Sequence, residues 1–137
     1  MVRAGQVRNS RWDEELRQML PHYIHPVGDY LDDSDIRYMA HTEVFQFPEW
    51  AICDAILRSY VYYVYPYLPS LDVHHLLEAF KRDSPSRISL LLFHAISCAS
   101  FHYVNIDIIL AGGYSSRSEA IDTSYKKSRV SLQIQRH

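Results

Sequence analysis

Residues 88–101 read ISLLLFHAISCASF, and this apolar run decides the fold. Its apolar residues at 88, 91, 92, 95, 96 and 99 recur at the three- and four-residue steps of a helix. Leu90, Phe93 and Phe101 fill the remaining sides, so the helix is apolar nearly all round. Such a helix has to be buried, and the pattern predicts a central helix over about 86–104 with the others laid against it. Ser84-Pro85 supplies the start, a capping serine followed by the residue best tolerated in a first helical turn. Ser89, His94, Ser97 and Ser100 interrupt the run, which also falls short of the ~20 apolar residues needed to span a membrane.

Working outward, the clearest helical pattern of the sequence lies upstream. In the stretch 49–64, EWAICDAILRSYVYYV, the residues Trp50, Cys53, Leu57, Tyr60 and Val64 alternate steps of three and four. Asp54 and Arg58 form an i,i+4 pair on another face, and Pro66 and Pro69 stop the helix beyond Tyr65. Asp72 fits as the N-cap of a helix carrying Leu76, Leu77 and Phe80. Downstream, Asn105 caps a short helix over 106–111, and Gly112-Gly113 ends it with a left-handed stop. Ser116 and Glu119 have capping-box spacing and open a last helix through Tyr125 and Val130. Towards the N-terminus, helices are predicted over 13–20 and from Ser34 to Val44, while residues 1–11 carry no periodicity and read as disordered. Strand signals are confined to the proline-broken 60–67. The expectation is all-α, an irregular array of six or seven helices, with 12–137 forming one domain.

Composition excludes more than it identifies. With 47% hydrophobic and 22% charged residues the 137-residue chain can bury a core without a staple. A net charge of −2 gives no basic excess for nucleic acid phosphates or anionic lipid. Cys53 and Cys98 each sit in an apolar stretch and read as reduced core cysteines. The histidine pairs His22/His25, His74/His75 and His94/His102 lack the cysteine partners of a structural zinc site, and His94 reads as a core histidine bonded to a neighbour. No nucleophile elbow, H-E-x-x-H helix or glycine-rich phosphate loop is present, so no catalytic, cofactor or metal residue is assigned and the chain is not expected to be an enzyme. The run Tyr60, Tyr62, Tyr63, Tyr65 and Tyr67 has only Arg58 beside it, which favours core and helix-end packing over base stacking. Lys126, Lys127 and Arg129 near the end of the last helix read as a solvated basic face.

The order of these features over residues 20–130 resembles the fungal-specific transcription factor domain, the middle homology region of fungal zinc binuclear cluster regulators. Three stretches carry it. The first is Leu20-Pro21-His22-Tyr23-Ile24. The second runs from Ile52 into Tyr65-Pro66-Tyr67-Leu68-Pro69-Ser70-Leu71-Asp72, similar to the family's proline-bounded turn. The third is Gly112-Gly113-Tyr114-Ser115-Ser116-Arg117, similar to its glycine-aromatic-Ser-Ser-Arg turn. The helix between them matches through Leu91, Leu92, Ala95, Ile96, Ala99 and Ser100. Cutinase and fatty-acid regulators are the most similar group. The resemblance implies structural roles for Tyr65, Pro66, Pro69, Asp72, Gly113, Tyr114, Ser115, Ser116 and Arg117. It further implies a nuclear regulatory module for metabolic genes that works through protein partners or the rest of a transcription factor, with self-association as an accompanying expectation. The family's six-cysteine, two-zinc cluster cannot be built from two cysteines, so zinc and sequence-specific DNA contact are expected only of a DNA-binding domain lying elsewhere. The chain thus reads as a partial domain, lacking the zinc cluster and the C-terminal continuation. A stand-alone module that titrates a full-length relative, and a gene fragment without function, are the alternatives.

Overall fold

A computed structural model describes residues 20–25, 34, 43–67, 69 and 71–135. In chain order its elements are α1 (Trp50–Ser59), a π-helical turn (Tyr60–Val64), α2 (Val73–Ala79), α3 (Leu90–Ser100), α4 (Ile106–Ala111) and α5 (Arg117–Gln135). The fold is all-α. Among the described residues the only strand-like pairing is an isolated parallel bridge between Ile24 and Ile88. Expected helix 13–20 lies almost wholly outside the described residues, as do 1–11 and most of 34–44. The end of the latter, at Glu43 to Phe45, is a turn with Glu43 in the left-handed region.

Local chemistry explains the ends. Asp72 accepts the His74 and His75 N–H groups at 3.0 and 3.2 Å, Ser89 that of Leu92 at 3.0 Å, and Asn105 that of Asp107 at 2.8 Å. Each cap satisfies donors that a helix start leaves without intrahelical partners. α1 passes into the π-helical turn where the Tyr65 N–H bonds Tyr60 O at 2.8 Å, one residue beyond the α-helical step.

α3 packs most extensively on α5. The reason lies in small side chains: Ser97 and Ser100 on α3, with Ala120, Ser124 and Ser131 on α5, are all buried. On α5 the buried positions 120, 124, 127 and 131 follow a four-three-four step, the spacing of a helix seam. Burying hydroxyls requires partners; the backbone of the preceding turn provides them for Ser97 and Ser131, whereas Ser100 Oγ has none among the described residues. Ser97 Oγ donates to Phe93 O at 2.9 Å, Ser128 Oγ to Ser124 O at 2.9 Å and Ser131 Oγ to Lys127 O at 2.8 Å. Ser124→Leu is therefore expected to overpack the seam and cost about 1–3 kcal/mol. Urea denaturation reads this directly, and an unmoved midpoint would mean that α5 does not pack along this stripe.

Opposite that seam, α3 meets an aromatic cluster. Tyr23 stacks on Phe80 at 4.3 Å, and Phe93 lies 5.5 Å from Tyr23 and 5.4 Å from Phe47. The 20–25 segment is held there by its backbone, since His25 N–H donates to Ile88 O and Ile88 N–H to Tyr23 O, both at 2.8 Å.

The bridge also corrects the predicted start of the central helix. Residues 86–89 are extended because Ile88 pairs with the 23–25 backbone, so α3 begins at Leu90 under the Ser89 cap and not at Ser84-Pro85; it ends at Ser100, short of 104. Its buried face is Phe93, His94, Ile96, Ser97 and Ser100, while Leu91 and Leu92 are half-buried and Ala95 is exposed. Trp50, expected in the α1 stripe, is 55% exposed, and Ile52 and Ile56 are buried in its place. Cys53 is buried as predicted, whereas Cys98 is only half-buried at the edge of the seam. Of the tyrosine run Tyr60 is buried, but Tyr62 and Tyr63 in the π-helical turn and Tyr67 beyond it are exposed.

Candidate interaction site

The turn 112–117 ties four helices together. A Cβ on Gly112 would come within 2.6 Å of Ile52 Cδ1, so a side chain there would push the Ile52 side chain from its place against the end of α4. Gly113 follows at φ +97, a conformation that side-chain-bearing residues rarely adopt. Tyr114 lays its ring edge-on against Phe101 at 5.4 Å. Ser116 Oγ accepts the Glu119 N–H at 3.1 Å, giving half of the predicted capping box. The other half is displaced by one residue: the Glu119 carboxylate accepts the Ser115 N–H at 3.2 Å and the Ser115 hydroxyl at 2.6 Å. These two bonds hold the Glu119 carboxyl below its ordinary range. Arg117 donates from one guanidinium nitrogen to Phe101 O and Val104 O, both at 2.7 Å. Its charge thereby meets carbonyls at the C-terminal end of α3, where a cation is favoured by the helix dipole.

The proline-bounded turn is looser. Tyr65 is half-buried against the core, Pro66 and Pro69 are exposed, and Asp72 acts through its cap alone.

A second polar centre fixes loop 43–48 to the α3–α5 pair. His94 is buried and its Nε2 lies 2.9 Å from Val44 O, with Phe47 stacked on its ring at 5.8 Å. Burial drives its pKa down to about 4. Lys127 is also buried, and its ammonium donates to Gln46 O at 3.1 Å. Burial lowers its pKa, opposed by the Glu43 carboxylate. The assignment of Lys127 to a solvated basic face is thus corrected: it occupies the third step of the buried 120/124/127/131 stripe, which is the signal that could have found it. Its neighbours Lys126 and Arg129 do face outward, Lys126 paired with Asp122 at 3.1 Å and Arg129 over the Tyr125 ring at 5.9 Å. A polar cavity of about 290 Å³ opens beside Lys127, between loop 43–48 and Tyr114.

Among the described residues, exposed apolar groups occur on and near the π-helical turn and on α4. Tyr63 stacks on Tyr103 at 5.0 Å with both rings about half exposed, Tyr62 stands 75% exposed, and α4 presents Ile106, Ile108 and Leu110. Stacked aromatic rings open to solvent are a common component of protein docking surfaces. No group of three or more His, Cys, Asp or Glu converges as a metal site among the described residues, and no helix among them is long and apolar enough to cross a membrane.

The known proteins to which the chain is similar are named transcription factors. The chain is 30% identical over 112 residues to a transcription factor of Fusarium pseudograminearum, covering 81% of the chain and 12% of that protein. It is 30% identical over 122 residues to the fusaric acid cluster transcription factor FUB12 of Fusarium oxysporum, covering 89% of the chain and 18% of the relative. This chain is a relative of fungal transcription factors. Cutinase transcription factor 1 beta of Fusarium vanettenii extends the likeness to 94% of the chain at 27% identity, again over only 15% of the relative. The chain therefore spans less than a fifth of the length of these transcription factors. No family profile and no solved structure matches it.

Proposed function

We propose that the chain is a regulatory, non-DNA-contacting helical module of a nuclear fungal transcription factor that controls metabolic genes. The observation that carries this reading is the Tyr63–Tyr103 surface, in a chain whose relatives are all named transcription factors. It acts by docking on protein, either the remainder of the factor or another subunit, and the same apolar surface supports self-association. Direct reading of DNA is assigned to a separate zinc-bearing domain. The residues here do not suit that metal: Cys53 and Cys98 lie on different helices, with Sγ atoms directed to Pro48 O and Ile121 O.

Co-expressing the chain with a full-length relative and a reporter from that relative's own promoter tests this. Reporter output is expected to shift, and Tyr63→Asp with Tyr103→Asp to remove the shift without changing the helical circular dichroism. Unchanged output with the unmodified chain at matched protein level would refute the proposal.

A further inference from the structure

The Ser84-Pro85 pair does not start a helix and lies in the connection between α2 and α3. Residues 81–87 read KRDSPSR and form the loop between α2 and α3. Buried Phe80 and buried Ile88 anchor its two ends. Between them Lys81, Arg82, Asp83 and Pro85 are exposed, and Ser84 is partly exposed. Asp83 sits at φ 66, a left-handed residue that bends the chain just before Ser84. The Ser84 hydroxyl is committed only weakly, accepting the Ser86 N–H at 3.1 Å, and its proton is left to give.

We propose that Ser84 is a phosphorylation site for a proline-directed protein kinase of the class that also requires a basic residue three positions after the serine. Pro85 supplies the first feature, a following residue with no backbone N–H to satisfy and a preset φ. Arg87 supplies the second, and Arg82 and Lys81 extend the basic character upstream. In the transfer, Ser84 Oγ bonds to the γ-phosphorus of ATP and the bond from that phosphorus to the β,γ-bridging oxygen breaks. ADP leaves with the electron pair, and the hydroxyl proton passes to the kinase's general base. The product adds about −1.5 to −2 charge at pH 7 to a segment holding three cations and Asp83, so the phosphate enters a favourable field. It also changes the charge of the loop that leads into Ile88, which holds the 23–25 backbone.

The test uses the full chain, a purified cyclin-dependent kinase and ATP, with intact mass and peptide mapping as readouts. One phosphate, mapped to Ser84, is expected. Ser84→Ala is expected to abolish it, Pro85→Ala to abolish it with the circular dichroism spectrum retained, and Arg87→Ala to slow it by about tenfold through loss of a charge-assisted contact. The proposal is overturned if the folded chain takes up no phosphate, if the phosphate maps to Ser86 or Ser89, or if Pro85→Ala is modified as fast as the unmodified chain.

Discussion

Replacing Phe101 by alanine is expected to lower the unfolding free energy by about 3–5 kcal/mol. Phe101 is among the largest fully buried side chains of the described residues, at 1% exposure, and stands where three connections meet. Its ring is the surface on which Tyr114 rests, its carbonyl receives Arg117, and its N–H closes the end of α3 on Ser97 O at 2.9 Å. Removing the ring leaves a cavity that cannot collapse easily, because the 112–117 turn is held by Gly112 against Ile52 and by Arg117 against Val104 O. For a domain whose total stability lies in the usual range of about 5–15 kcal/mol, the loss is about a fifth or more. Phe101→Leu keeps most of the volume and is expected to cost less than about 1.5 kcal/mol. Urea midpoints for the two variants separate cavity from chemistry, and equal midpoints for Phe101→Ala and the unmodified chain would place this ring outside the core.

The residues that end helices were legible in the sequence because their signals are local. Asp72, Asn105 and Gly113 each act within three residues of themselves, and the structure has each in its expected capping or stop role. Ser84-Pro85 carried an equally good local signal and failed. What overrode it is a contact 64 residues away in sequence, the pairing of Ile88 with Ile24, which no local pattern encodes. The face of α3 was misread for a related reason. Apolar count pointed to Leu91 and Leu92, but the interface with α5 is built from Ser97, Ser100, Ala120, Ser124 and Ser131, where small size and not hydrophobicity decides. The same blindness hid Lys127, whose charge spoke for solvent while its place in the α5 stripe spoke for burial. Arg117 was legible only as one letter of a motif. Its role depends on the carbonyls at 101 and 104, which the 112–117 turn brings back beside it.

His94 is the group through which mild acid is expected to unfold the chain. Its ring is 2% exposed, with Nε2 at 2.9 Å from Val44 O. Burial is the main cause of its pKa falling from 6.5 to about 4; the Lys127 ammonium pushes the same way, and the bond to the Val44 carbonyl opposes both. In the unfolded chain the ring titrates near its ordinary 6.5. Above that pH it is neutral in both states, and the stability is at its full value. Between 6.5 and 4 the unfolded state takes up a proton that the folded state refuses, so stability falls as pH falls. Below 4 both states are protonated and the loss is complete, at about 3 kcal/mol for a displacement of this size. The other displaced groups act in different windows. Glu119, whose carboxyl is lowered by Ser115, loses its contribution only as pH drops below the ordinary carboxylate value, and the lowered Lys127 acts on the alkaline side, below 10.5. Urea midpoints measured from pH 7 to pH 4 are therefore expected to fall steeply in the unmodified chain. His94→Gln, which keeps a donor for the Val44 carbonyl but cannot take up a proton in this range, is expected to flatten the fall between 6.5 and 4.5. An equal fall in both proteins, or a His94 proton resonance titrating near 6.5 in the folded chain, would show that this ring is not the acid-sensitive group.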